Sequence, residues 1–343
     1  MEFKDRKYDL VTFGQLLMRL SPAPGERLQR TGVLDRNAGG AEFNVAAGAS
    51  QMGLKTAMIA KLPTHAVGQF MKGAMKENGV SEEYVIADES PDARVGLYYY
   101  EYGASPRKPS TVCDRRNSSI YSLTMDEIDE SVFENTKCFH TTGITMALSP
   151  ELRELTKQLI RKFKEHGALV SFDVNYRANL WSGDEARKAI TEILPSIDIF
   201  FCSDSTARLT FLKEGTTREI IRSFTEEYPI KAVFATDRTV HSPKVHDFTS
   251  IAYSARDHEF YEEKGYEGID VTDRIGSGDQ YISGALYGIL HEGGDIRRAV
   301  IYGNAAAALK NTVPGDLPVT SIEEIRNVIE AHYSEGFQTE MNR

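Results

Sequence analysis

Four short apolar runs, at 139–144, 168–173, 197–202 and 231–236, constrain the fold of this chain more than any other feature. They recur at the interval of roughly thirty residues that a βαβ unit needs. Between the first two lies a helical pattern, with Pro150 in its first turn and Gly167 as its stop. Its apolar face carries Leu152, Leu155, Leu159, Ile160 and Phe163. Strands alternating with helices in this way build an α/β fold, a mostly parallel sheet covered by helices. Ligands of such sheets gather at the carboxyl ends of the strands. The segments directly behind the runs, Asp173-Val174-Asn175-Tyr176-Arg177 and Ser203-Asp204-Ser205, are therefore expected along one functional edge.

The first third of the chain reads differently. Residues 10–20 and 94–102 have strand character, and no helix signal intervenes between the latter and 112–115. A helix over 45–52, rich in small residues and closed by Gly53, follows Gly39-Gly40. Close packing on a sheet explains its alanines, but not the glycine pair, which implies that backbone there approaches something closely. Towards the C-terminus Asp295 is expected to cap a helix running to Lys310. Its small residues Gly303 and 305–308 fit close helix packing better than a flat ligand. His140 falls within an apolar run, where a hydrogen-bonded core histidine is expected.

The stretch Asp273-Arg274-Ile275-Gly276-Ser277-Gly278-Asp279 leads into an apolar helix pattern (Tyr281, Ile282, Ala285, Leu286, Ile289, Leu290). Glycines at 276 and 278 permit a tight turn, and the first amides of the following helix have no partners of their own. Free donors and the positive end of the helix dipole attract anionic oxygens there. Asp279 sits beside that site, where a carboxylate can take the proton of an attacking hydroxyl. Taken alone, the same letters also describe a glycine turn followed by an ordinary acidic residue.

Bulk properties narrow the classes. The 343 residues carry a net charge of −10, which argues against nucleic acid or an anionic membrane surface as partner. Cys113, Cys138 and Cys202 lie far apart with no CxxC, so neither a disulfide framework nor a thiolate metal cluster is expected. The eight histidines are scattered, and no run is apolar and long enough to span a bilayer. The N-terminus lacks a signal-peptide pattern, and a cytoplasmic location is the default expectation.

Taken together these segments resemble the ribokinase-like (PfkB) carbohydrate kinases over nearly the whole chain. Gly39-Gly40-Ala41-Glu42-Phe43-Asn44-Val45-Ala46 looks like the family's N-terminal glycine signature, and 273–279 like its C-terminal one. Within the family the similarity is greatest to 2-keto-3-deoxygluconate kinases. It is carried by residues 13–22, Lys61-Leu62-Pro63, 140–145, 172–181 and 310–316. The resemblance implies one ribokinase-like domain over 1–343, with a small β-sheet lid from about residues 15–37 and 93–117 that closes to exclude water. It implies ATP and Mg²⁺, with Asp279 as base and Gly276, Ser277 and Gly278 holding the phosphoryl oxygens. It assigns Gly40, Asn44, Tyr98, Arg115 and Arg177 to the sugar acid, and Ser203, Thr236, Arg238 and Asn304 to the nucleotide. Asp204 would reach the metal, a hard oxygen ligand being what Mg²⁺ prefers.

Residue chemistry agrees on one point: a carboxylate substrate calls for fixed guanidinium groups, which bind it bidentately. Four positions depart from the subfamily's pattern. Gln15 replaces Glu, Cys113 replaces a substrate-contacting Tyr, Ser203-Asp204-Ser205-Thr206 replaces an Asn-Glu-Glu-type motif, and Gln280 replaces a small residue. The expected activity is phosphorylation of the terminal hydroxyl of a 2-keto-3-deoxy sugar acid. A neutral-sugar or nucleoside kinase and a degenerate binding homologue remain as alternatives. An exposed lid edge is expected to pair two copies into a homodimer.

Overall fold

The computed structural model describes residues 5–334. Its centre is an eleven-stranded sheet. The strand Tyr8–Phe13 lies between Thr56–Pro63 and Thr136–Thr142 and is parallel to both. Leu169–Asp173, Ile199–Phe201 and Ala232–Ser242 extend the parallel run outward from Thr136–Thr142. Val245–Ser254 then turns back antiparallel and carries Glu259–Glu262 and Tyr266–Asp270 at the far edge. The spaced apolar runs are thus consecutive neighbours in one sheet. The last of them is longer than its apolar letters, because it continues as polar residues through Ser242 in a hairpin.

Both faces of this sheet are covered, which is why its strands read as continuous apolar runs rather than alternations. Phe200 and Phe201 show the consequence. Phe200 packs with Phe224 and Phe211 on one face, and Phe201 with Phe234 and Tyr281 on the other. The amphipathic helix Pro150–Glu165 covers the first face, starting with Ser149 as N-cap to the Leu152 amide and ending at Gly167, whose φ is +79°. On the second face lie Ala41–Gln51, Ser277–His291 and Ile296–Asn311. The last two helices approach until a Cβ at Gly288 would be 2.7 Å from the Ala299 Cα, and one at Gly303 2.7 Å from the Tyr281 ring. The small-residue stripe serves helix packing, as expected. Asp295 caps the second of these helices through the Arg298 amide. His140 is buried with its Nδ1 2.9 Å from the Ser171 hydroxyl.

Residues 10–20 are not one strand. The chain leaves the main sheet after Phe13 and re-enters a second, four-stranded sheet at Leu17–Ser21. Gly14 marks the exit, since a Cβ there would lie 2.2 Å from the Glu42 carboxyl group. The small sheet orders Asp35–Gly39, Leu17–Ser21, Gly96–Glu101 and Ser110–Asp114 side by side. The first helix also starts earlier than 45, at Ala41, because Gly40 with φ +128° takes the N-cap position.

Candidate active site

A cavity of about 720 Å³ opens at the carboxyl ends of the parallel strands, between the main sheet and the small one. Its floor is the turn into Ser277–His291. Gly276 caps that helix with φ +82°, and a Cβ there would fall 2.2 Å from the Asp316 carbonyl oxygen, so no other residue fits. The first helical backbone bond runs from Gln280 N to Gly276 O at 2.8 Å, which leaves the Gly278 and Asp279 amides without a backbone partner among the described residues. Gly278 contrasts with Gly276: a Cβ on it would meet nothing within 4 Å. The protein itself does not require glycine at 278. The space is left for something else.

Asp279 faces the cavity, and Asn44 donates to its Oδ2 at 2.7 Å. Burial pushes the Asp279 carboxyl up to about 6, against the opposing pull of the Asn44 hydrogen bond and Arg177. Asp173, at the end of its strand, is pushed up to about 7 by burial and by the nearby Asp279 charge. Two carboxyls in one cleft whose charges influence each other titrate as a pair. Asn44 Oδ1 is buried without a partner among the described residues and so offers an acceptor to a ligand hydroxyl.

Four arginines reach this cleft with little or no neutralisation. Arg115 donates through Nε to Gln15 Oε1 at 2.7 Å, while Gln15 Nε2 returns a bond to the Arg115 carbonyl at 3.0 Å. Gln15 also donates to Ser118. Gln15 therefore holds Arg115 in place and is not itself among the residues lining the cavity. Among the described residues Arg177 donates only to the neighbouring carbonyls of Tyr176 and Asn175, at 3.0 and 3.5 Å. Burial chiefly, and in lesser part the Arg177 charge, lowers the proton affinity of Arg115, so the two guanidiniums feel each other. At the other end Arg238 is lowered by burial and by Arg274, whose Nε is buried without a partner among the described residues.

Of the residues singled out from sequence, Gly40, Asn44, Tyr98, Arg115, Arg177, Ser203, Thr236, Arg238 and the 276–279 turn all line this one cavity. Ser203 does so as the N-cap of Asp204–Phe211, accepting from the Thr206 amide. Tyr98 is tied by its hydroxyl to Asp316 Oδ1. Two residues are not brought there. Asp204 stands in the first helical turn, where Arg208 one turn later holds its carboxylate through two bonds of 2.7 and 3.1 Å, with Thr217 alongside. Asn304 is buried in Ile296–Asn311 and accepts from Ser250 at 2.7 Å. The paired Gly39-Gly40 answers to protein atoms: a Cβ at 39 would meet the Asp316 carboxylate at 2.5 Å, and at 40 the Gln15 carbonyl at 2.3 Å.

Sequence gave no individual role to Asp173, Arg274 or Asp316, all of which line the cavity. Asp173 and Arg274 stand inside or beside the motifs, so position alone could have marked them. Asp316 is recruited by Arg19, which is fully buried and bridges Asp273 at 2.7 Å and Asp316 at 3.2 Å while stacking on Tyr100. Nothing local in the sequence pairs residue 19 with residue 316.

This arrangement has an anion site, a carboxylate beside it, and cationic groups at both ends. The pfkB family carbohydrate kinase pattern matches residues 7–321. A 2-dehydro-3-deoxygalactonokinase of Haloferax volcanii is 35% identical over 94% of this chain and 96% of its own length. A 5-dehydro-2-deoxygluconokinase of Clostridium perfringens is 29% identical over 98% of this chain and 97% of its own. The crystal structure of 2-dehydro-3-deoxygluconokinase from Thermotoga maritima superposes with a TM-score of 0.89, at 32% identity, covering 94% of this chain and 99% of that one. The chain therefore belongs to the pfkB family of carbohydrate kinases, and it is a phosphotransferase acting on a sugar hydroxyl.

Proposed function

We propose that this kinase transfers the γ-phosphoryl group of ATP to the terminal hydroxyl of a 2-keto-3-deoxy sugar acid, 2-keto-3-deoxygluconate being the leading candidate. The observation that carries the reading is the pair Arg115 and Arg177, two guanidiniums in the cleft that contains Asp279, neither of them in an ion pair among the described residues. A neutral sugar leaves such groups uncompensated, whereas a carboxylate satisfies a guanidinium through paired, charge-assisted bonds. The names of the relatives point to deoxy sugar acids of this kind while differing in the sugar.

In this reading the acceptor alcohol lies against Asp279, which takes its proton as the bond to phosphorus forms. The Gly278 and Asp279 amides hold the migrating phosphoryl oxygens, and the empty space over Gly278 admits them. Thr236, Arg238 and Arg274 lie along the nucleotide end of the cleft. Asn44 orients Asp279 and has a free acceptor for a sugar hydroxyl. The small sheet over residues 17–39 and 96–114 serves as the lid of a single kinase domain. Its outer strand Ser110–Asp114 is exposed along its whole length and supports pairing with a second copy. In phosphoryl transfer Mg²⁺ is held mainly by nucleotide phosphates and waters, with one or two protein carboxylates. The carboxylate assigned to it here, Asp204, is instead engaged by Arg208. No step is routed through a protein-bound metal.

The test is a coupled ADP-release assay over a panel of acid and neutral sugars, run on the wild type and on Arg177→Ala. Losing a charge-assisted contact worth about 1.5–3 kcal/mol should weaken acid-sugar kcat/KM roughly 10- to 150-fold. Neutral sugars should be nearly unaffected. Equal losses on both classes, or a wild type that prefers fructose or ribose, would refute the carboxylate assignment.

A further inference from the structure

Lys310 has no part in the reading above, yet it is fully shielded from solvent in the last turn of Ile296–Asn311. Its ammonium donates to two backbone carbonyls, Asp273 at 3.3 Å and Val313 at 3.2 Å. A methionine would fill the same space without the cost of desolvating an ammonium, so the charge requires a reason. Satisfying carbonyls at a helix C-terminus explains the contact to Val313. It does not explain the one to Asp273, which opens the phosphate-binding turn 37 residues away in sequence.

The surroundings supply the reason. Lys310 shares its pocket with Arg19, Asp273 and Asp316, and Asp279 lies further off. The two buried cations balance the two carboxylates that Arg19 bridges. Gly276 is pressed against this cluster, a Cβ on it falling 3.5 Å from Lys310 Cε. Deleting the Lys310 charge would leave a net negative cluster beside the amides that receive a phosphate. In a desolvated site that charge is poorly screened. Carbonyl oxygens backed by carboxylates are also the donor set that suits a small alkali or ammonium ion.

We propose that the Lys310 ammonium acts as an internal monovalent cation, a positioning residue that fixes the 273–276 turn through carbonyl oxygens and neutralises the charge behind the anion site. The kinase then works without any added monovalent ion. Burial lowers Lys310 to about 8, which still leaves it protonated at neutral pH. The inference rests on the phosphoryl-transfer role of the 276–279 turn, and not on which sugar is used.

The experiment compares wild type, Lys310→Ala and Lys310→Met in buffers whose only cation is tetramethylammonium. KCl, NH₄Cl or choline chloride is then added at matched ionic strength. ADP release is followed with the best acceptor of the panel, and nucleotide binding by calorimetry gives a readout that needs no sugar. Wild-type turnover should change less than about twofold with any salt. Lys310→Ala should lose roughly 10²-fold in kcat/KM for ATP, as removal of a preorganised charge does elsewhere. Potassium or ammonium, but not choline, should restore at least about tenfold of it, while Lys310→Met, whose side chain blocks the space, should not respond. If Lys310→Ala unfolds in tetramethylammonium, its melting temperature should rise with NH₄⁺ and not with choline. Strong potassium stimulation of the wild type, a folded Lys310→Ala indifferent to every ion, or wild-type kinetics in Lys310→Met would each overturn the proposal. A failure of the sugar panel would leave the calorimetric result standing.

Discussion

The pH dependence of kcat/KM tests the role of Asp279 most directly, because burial displaces its titration into an accessible range. As the base, Asp279 must be ionised when the sugar hydroxyl arrives. With the group at about 6, roughly nine-tenths of it is ionised at about pH 7 and one-tenth at about pH 5, so kcat/KM should fall about tenfold across that span. An aspartate left at its ordinary value of about 3.9 would lose only about 7% of its ionised form by about pH 5. The sign for stability is opposite. A carboxyl whose folded value is raised binds its proton more readily in the folded chain, so acidification from about pH 6 to 4 favours folding at this residue. Activity should therefore fall while the melting temperature does not follow it at the start of the limb. Asn44→Leu removes the donor that stabilises the carboxylate, and the limb should move up by roughly one pH unit, the equivalent of one charge-assisted bond. Asp173→Asn should move it down by removing a like charge. Asp279→Asn should lower turnover by about 10²–10⁴-fold with little change in sugar affinity. The assay is initial-rate ADP release in constant-ionic-strength buffers, with calorimetric melts in parallel. A profile flat to about pH 4.5, or near-normal turnover in Asp279→Asn, would remove this residue from the chemistry.

The two glycines of the turn should behave oppositely. Gly276→Ala forces a Cβ against the Asp316 carbonyl at a φ of +82°, and should lower stability by about 1–3 kcal/mol, read as a reduced melting temperature. Gly278→Ala places its methyl in open space, so melting should stay within about 0.5 kcal/mol of wild type while nucleotide binding and turnover collapse. A Gly278→Ala enzyme with normal ATP kinetics would contradict the phosphate assignment. Sedimentation of the purified chain should show a dimer, and Val112→Lys on the exposed strand should shift it to monomer. Monomeric wild type would dispose of lid pairing.

What could be read in the sequence follows how local each determinant is. The parallel sheet was legible because its strands are buried on both faces, which writes them as unbroken apolar runs at a βαβ interval. The glycine turn at the head of the Ser277–His291 helix was legible because Gly276 and Gly278 stand within three residues of Asp279, and such a turn is made by neighbours in the chain. The break in 10–20 was not, since Phe13 and Leu17 are both apolar and buried, and the Glu42 carboxyl that crowds Gly14 at the break comes from a distant part of the chain. Asp204 misled for a related reason. Its place behind a strand is correct, but Arg208 at the next turn captures it, a pairing that spacing permits and does not require. The charges that matter most behind the site, Arg19, Asp273, Lys310 and Asp316, come from three separated stretches and meet only in the folded chain. Such a cluster is invisible to periodicity because each member, read alone, looks like a solvated surface residue. Burying all four is costly unless each is compensated by the others. Removing any one should therefore disturb the phosphate turn more than its distance from the reacting atoms suggests.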